Sequence, residues 1–165
     1  MAPFCFPNNR ATPAQIEFLT ARLNSLRYTY LGEYGIDVQN LDGSGSAGGL
    51  AGGLAALGAT LVPGFHLVAD EVGLHELVAA ADLVITGEGY MDEETFQGKV
   101  VGGVNEMANE LNKPVVAICG DIDEAARSRM EAVSLVDLFG EEQAFGQPLH
   151  CVEQAATQIL TRFAI

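Results

Sequence analysis

The chain has 165 residues, enough for one domain of ordinary size or for a piece of a larger protein, and its 48% hydrophobic content gives ample material for a core. A net charge of −14 with only 8 Lys and Arg excludes the basic surface that nucleic acids and anionic membranes require. Cys5, Cys119 and Cys151 are far apart, without CxxC spacing or a histidine in ligand register, and read as free thiols of a reducing compartment. No run approaches the ~20 apolar residues that span a bilayer and no amino-terminal stretch resembles a signal peptide, so a cytoplasmic location is expected.

Met1 to Thr12 reads as a loop. Thr12-Pro13-Ala14-Gln15 then matches a capping box with proline at the first helical position, and Ile16, Leu19, Leu23 and Leu26 follow at helical spacing. This predicts a helix that ends before Tyr28. The segment from Gly32 to Gly58 is rich in glycine and reads as a loop running into a small-residue helix with Leu50, Leu54 and Leu57 as its apolar stripe. Its amino end, Gly43, Ser44, Gly45 and Ser46, would offer free backbone N–H groups to an anion, although close packing alone explains small residues nearly as well. Neither a dinucleotide fingerprint nor a P-loop is present, because no Gly-Lys-Ser/Thr follows.

From Leu61 the pattern is one of β/α units. Phe65 to Val68 reads as a short extended piece and Glu71 to Ala80 as a helix. Leu83 to Thr86 reads as a buried strand, followed by an acidic loop from Gly87 to Thr95. A helix over Val100 to Leu111, a second buried strand over Pro114 to Cys119 and a loop from Gly120 to Asp123 complete a βαβ unit. A helix from Asp123 to Ala132, a strand from Ser134 to Phe139 and an amphipathic helix from Cys151 to Phe163 close the chain. The fold class is therefore α/β, a three-layer α/β/α arrangement with a mainly parallel sheet. Its expected division is a glycine-rich α/β subdomain over 1–64 and flavodoxin- or Rossmann-like βα units over 65–165.

In a parallel sheet both loops emerge at the carboxyl ends of strands, where open α/β sheets place their ligands. Glu88, Asp92, Asp121 and Asp123 can therefore converge. Carboxylates beside the backbone of Gly87 and Gly89 suit an oxygen-ligated Mg²⁺ and a phosphate-bearing ligand, with Lys99 as the neutralising cation. Solvated loop charges are the competing reading, and Asp123 reads equally as a helix cap.

Three stretches resemble the bacterial glycerate kinases of the first type. Ala81-Asp-Leu-Val-Ile-Thr-Gly-Glu-Gly89, with Asp92, Thr95 and Gly98-Lys99, is similar to that family's ADLVITGEGRxD and its Gly-Lys. Gly43-Ser-Gly-Ser-Ala-Gly-Gly-Leu50 is similar to GAAGGLG, and Pro7 to Pro13 to PQKGATP. The resemblance implies ATP-dependent phosphorylation of glycerate with Mg²⁺ on a two-part α/β architecture of which this chain is the carboxyl-terminal portion, the sheet being incomplete. It implies catalytic roles for Asp92, Lys99 and Glu88. It implies binding of substrate or phosphate by Gly43 to Ser46, Gly87, Gly89 and Thr95, and metal binding by Glu88 and Asp121. The partner implied is an amino-terminal half-chain or a second copy. Tyr90 stands where the family has arginine, and Asn8, Asn9 and Arg10 depart from the glutamine, lysine and glycine of PQKGATP. These departures leave a non-enzymatic domain that binds nucleotide or an acidic metabolite as the alternative. A metal-dependent hydrolase is weaker, because His66, His75 and His150 lie in other segments.

Overall fold

The structure is a computed structural model that describes residues 12–164. Cys5 and most of the segment from Pro7 to Pro13 lie outside the described residues. The chain divides into two compact units, Met1–Pro63 and Gly64–Ile165.

In the first unit α1 spans Pro13–Tyr34. Thr12 and Gln15 form the predicted capping box, with the Gln15 N–H donating to Thr12 Oγ1 at 3.3 Å and the Thr12 N–H donating to Gln15 Oε1 at 2.8 Å. The helix runs through Tyr28-Thr-Tyr instead of ending before it. Nothing in that tripeptide breaks a helix, and the first residue to adopt a left-handed stop is Gly35, with φ 71°. A 3₁₀ turn, Val38–Asn40, follows, held to α1 by the Arg27 guanidinium donating to both oxygens of Asp37 at 2.8 and 3.1 Å.

α2 spans Ser46–Ala56, but Ala47, Gly48 and Gly49 all have positive φ, so regular helix begins only after them. The leucines are not its buried face: Leu50, Leu54 and Leu57 are 61%, 47% and 73% exposed, whereas Gly52, Ala55 and Ala56 are buried. Small side chains at i, i+3 and i+4 let the backbone close in. A Cβ on Gly52 would lie 3.1 Å from the Ser44 carbonyl oxygen.

The second unit contains α3 (Gly64–Glu71), α4 (Leu74–Ala80), β1 (Val84–Met91), a 3₁₀ turn (Glu93–Phe96), α5 (Val100–Glu110) and β2 (Val115–Ile122). β3 (Ala132–Ser134), α6 (Leu135–Phe139), α7 (Glu141–Gly146) and α8 (Pro148–Arg162) follow. The strands pair in the order β1-β2-β3, all parallel, with β1 and β3 at the edges. β2 supplies both faces. Val116 and Ile118 pack with Leu135, Cys151, Ala155 and Ile159 on the side of α6, α7 and α8. Ala117 and Cys119 pack with Val101 of α5, and Val115 packs with Val104 and Ala108 of the same helix. Two helical layers around a parallel sheet is the expected class.

Several predicted elements differ. Phe65 to Val68 is helix, because Phe65 turns inward against α5 while His66, Leu67 and Val68 remain exposed, a helical rather than a two-residue period. Gly73, at φ 64°, splits the expected helix over Glu71 to Ala80. The expected helix from Asp123 to Ala132 is replaced by turns that end before Ala132 begins β3, and Ser134 to Phe139 is mostly helix, started by Ser134 Oγ accepting from the Asp137 N–H at 3.1 Å.

The expected loops after β1 and β2 are largely strand. Glu88 pairs with Cys119, Tyr90 with Asp121 and Met91 with Ile122, while Gly89 and Gly120 are skipped. Gly87 and Gly120 serve close approach rather than looping. A Cβ on Gly87 would fall 2.3 Å from the Ile118 carbonyl oxygen, and one on Gly120 would fall 2.4 Å from that of Gly89. The pleat is also interrupted at Gly120: Ala117 and Cys119 share one cluster with Ile122, which strict alternation would send to the opposite face.

Candidate active site

The carboxyl end of β1 carries a closed hydrogen-bond circuit. Asp92 caps the 3₁₀ turn, its Oδ1 accepting from the N–H groups of Glu94 at 2.9 Å and Thr95 at 3.2 Å. In return the Asp92 N–H donates to Thr95 Oγ1 at 3.1 Å. The same hydroxyl donates its proton to Glu88 Oε1 at 2.6 Å, a charge-assisted bond of the stronger kind. Thr95 is 0% exposed, while Glu88 and Asp92 are half-buried.

Lys99 stands at the start of α5 after Gly98, whose φ of 86° makes the bend, and its Nζ lies 3.2 Å from Glu94 Oε2. Both partners are exposed, so the pair contributes about 0.2–1 kcal/mol.

The end of β2 carries a second group. Asp121 Oδ1 accepts from the Ile122 N–H at 2.8 Å and from Ser134 Oγ at 3.3 Å. Asp123 Oδ1 accepts from the Ala125 N–H at 2.9 Å, so it caps the following turn, while its Oδ2 receives the Tyr90 hydroxyl at 3.3 Å. Desolvation and then the neighbouring Asp123, Asp121 and Asp92 raise the Tyr90 phenol above its ordinary value. Beneath Glu88, burial pushes the Cys119 thiol up to about 11, with the Glu88 carboxylate adding to the effect.

Glu88, Asp92 and Thr95 are thus joined directly, with Lys99 attached through Glu94; Gly87 and Gly89 lie in the strand that carries them. Among the described residues, Glu88, Asp92 and Asp121 form no ion pair. No group of three or more His, Cys, Asp or Glu is arranged to hold a metal alone among the described residues. Mg²⁺ needs only one or two protein carboxylates when other ligands and water complete its shell, and Glu88 and Asp121 are oxygen donors of that kind, each with one carboxylate oxygen engaged in hydrogen bonds within the chain.

In the first unit, Gly43 to Ser46 are arranged differently from a free helix start. The Ser44 N–H donates to Leu41 O at 3.1 Å and the Ser46 N–H to Gly43 O at 2.9 Å, while Ser44 Oγ donates to Val38 O at 2.6 Å.

Sequence reasoning missed Glu94 as the partner of Lys99, Ser134 as that of Asp121, and Gly102. A Cβ on Gly102 would lie 2.4 Å from Thr95 O and 2.9 Å from the Phe96 Cα. The Gly102-Gly103 pair inside a predicted helix was the available signal for that approach. Arg129 was also missed; it pairs with Glu93 at 2.8 Å and covers the Phe96 ring at 4.3 Å, bracing the 3₁₀ turn from outside.

A parallel sheet with helices packed on both faces of its central strand, and with carboxylates at the ends of adjacent strands, defines an α/β protein of the class that places ligand crevices at strand ends. The chain belongs to the glycerate kinase family, whose model matches residues 6–164. It is 39% identical over 160 residues to a glycerate kinase of Halalkalibacterium halodurans, an alignment covering 93% of this chain and 42% of that protein. With the glycerate 2-kinase of Escherichia coli K12 it shares 36% identity over 117 residues, 70% of this chain and 31% of that protein. A crystal structure from Salmonella typhimurium LT2, of a protein described as glycerate kinase 2, superimposes with a TM-score of 0.52 at 34% identity, covering 93% of this chain and 44% of that one. The chain thus spans about two fifths of the length of the first of these relatives. Among the described residues no helix is long and apolar enough to cross a membrane.

Proposed function

We propose that this chain carries the acidic half of a phosphotransfer site that moves the γ-phosphoryl group of ATP to a hydroxyl of glycerate. The observation that supports this reading most directly is the Glu88–Thr95–Asp92 circuit, built from the residues that match the family's acidic motif.

The hydroxyl oxygen of glycerate attacks the γ-phosphorus, the bond from phosphorus to the β-bridging oxygen breaks, and its electron pair leaves with ADP. Asp92 takes the hydroxyl proton. Its Oδ1 is held by two amides, so Oδ2 is the oxygen assigned to that proton. Lys99 exchanges Glu94 for phosphate oxygens. Glu88 and Asp121 are the residues that would hold Mg²⁺, which when bound neutralises phosphate charge. In the first unit, Gly43 to Ser46 are proposed to bind phosphate through the backbone groups their turns leave available. Cytosolic location belongs to the same reading and is in keeping with free, buried Cys119 and Cys151.

The chain spans 42% of a relative's length and, among the described residues, β1 pairs on one side only, so in this reading the rest of the family fold completes the site, whether in the same polypeptide or in another. The test is ADP formation from D-glycerate, ATP and Mg²⁺ by this chain alone and with the remaining portion of a full-length relative added. No glycerate-dependent ADP in either case refutes the proposal.

The binding-only alternative draws on Tyr90, which supplies neither the charge nor the forked donors of the family arginine and is turned toward Asp123. Nucleotide binding without turnover, and turnover appearing in Tyr90→Arg, would select it.

A further inference from the structure

We propose that Thr95 is a positioning residue for this reaction rather than a contact to substrate or phosphate: its buried hydroxyl fixes the relative placement of the two candidate carboxylates, Glu88 and Asp92. The inference rests on the phosphotransfer reading above.

A threonine hydroxyl has one proton to give and two lone pairs. Thr95 gives the proton to Glu88 and accepts from the Asp92 N–H, and with 0% exposure it offers no surface to a ligand. A cap alone does not need the bond to Glu88. The Asp92 carboxylate and the amides of Glu94 and Thr95 already close the turn, yet the hydroxyl reaches seven residues back to β1. The effect is to tie a strand carboxylate to a turn carboxylate through one atom, and donation to an ionised acceptor strengthens the chain of bonds through that atom.

Two further contacts keep the hydroxyl in place. α5 closes on the Thr95 carbonyl so tightly that only glycine fits at position 102, and Arg129 holds the outer side of the turn through Glu93 and Phe96. A displacement of about 1 Å at a reacting group is enough to lower turnover about 100-fold, so the node governs geometry that matters to rate.

Thr95→Val keeps the shape and removes the hydroxyl; Thr95→Ser keeps the hydroxyl. On the full chain, nuclear magnetic resonance follows the Glu88 side-chain carboxyl ¹³C signal and exchange of the Asp92 amide. In Thr95→Val the amide should exchange about tenfold faster and the Glu88 signal should move, whereas Thr95→Ser should match the unsubstituted chain. In the phosphotransfer assay Thr95→Val should lower kcat about 10- to 100-fold with KM for ATP and glycerate within about twofold, and Thr95→Ser should restore it. A Thr95→Val chain with unaltered Glu88 and Asp92 signals, or a Thr95→Ser chain as impaired as Thr95→Val, overturns the proposal. Should Thr95→Val not fold, the unsubstituted chain decides: its Thr95 hydroxyl proton should appear as a slowly exchanging resonance close to the Asp92 amide, and rapid exchange with water overturns the bonding. Absence of ADP formation by the unsubstituted protein defeats the phosphotransfer reading, while the resonance measurements still decide the tie between Glu88 and Asp92.

Discussion

Gly102→Ala tests whether the turn that carries Asp92 and Thr95 is clamped by α5. In an ordinary helix interior, alanine is favoured over glycine by about 1 kcal/mol. Here a Cβ would stand 2.4 Å from Thr95 O, 2.9 Å from the Phe96 Cα and 3.1 Å from the Thr95 carbonyl carbon, all backbone atoms that no rotamer change can move aside. Overpacking costs about 1–3 kcal/mol, and a clash against fixed backbone belongs at the upper end, so the net expectation is destabilisation by about 2 kcal/mol. Gly32→Ala in α1 is the control, because nothing lies within 4 Å of its Cβ position and its φ is not left-handed. It should stabilise its unit by up to about 1 kcal/mol. The chain has no tryptophan, so urea unfolding is followed by far-ultraviolet circular dichroism, and each variant is compared through its midpoint at unchanged slope. A Gly102→Ala chain as stable as the unsubstituted one, with Gly32→Ala behaving as expected, would refute the clamp.

Asp92→Asn removes the proton acceptor while keeping an oxygen to cap the turn, so it should lower kcat about 100- to 10,000-fold with a midpoint of unfolding shifted by less than about 1 kcal/mol; retained turnover would remove Asp92 from its assigned role. Lys99→Ala should raise KM for ATP while leaving stability nearly unchanged, since its pair with Glu94 is exposed. Cys119 should resist alkylation in the folded chain at pH 8, because its thiol is fully buried and pushed up to about 11. The folded value lies above the ordinary 9.0, so the unfolded chain loses this proton first and stability should fall as pH rises from about 9 to 11. In Cys119→Ala that alkaline loss should be smaller by about 2 kcal/mol, read from urea midpoints at pH 8 and 11. Asp37 shows the opposite sign: hydrogen bonding from Arg27, then from the Gln39 amide, holds its carboxyl below the ordinary 3.8. Its contribution is complete above that value and disappears as pH falls through the lower folded value, so Asp37→Asn should flatten the acid limb of the first unit's stability profile.

What the sequence disclosed depended on which physical signal each segment carries. The capping box at Thr12 and the positions of the first two strands were legible because hydrogen-bonding residues at fixed spacing and apolar runs report local structure directly, but only β2 is buried as expected: β1 lies at the sheet edge and leaves Ile85 exposed. The α2 face was misread because leucine signals burial by size, whereas Gly52, Ala55 and Ala56 are buried through absence of size. Gly87 and Gly120 were misread for the same reason: in sequence they resemble loop residues, and in three dimensions they let parallel strands approach within the space of a missing Cβ. Phe65 and the residues from Asp123 to Ala132 were decided by tertiary packing and by one cap, neither of which has a period to detect. At the site, Asp92 and Thr95 were legible as motif members, but the motif does not distinguish a residue that touches ligand from one that holds another residue. Burial makes that distinction. Glu88 and Asp92 retain partial exposure at a strand end, and Thr95 has none, with its single proton committed to Glu88. The acidic motif is therefore two layers deep, carboxylates above and a hydroxyl below, and Gly102 of α5 belongs to it because it brings the helix onto the lower layer.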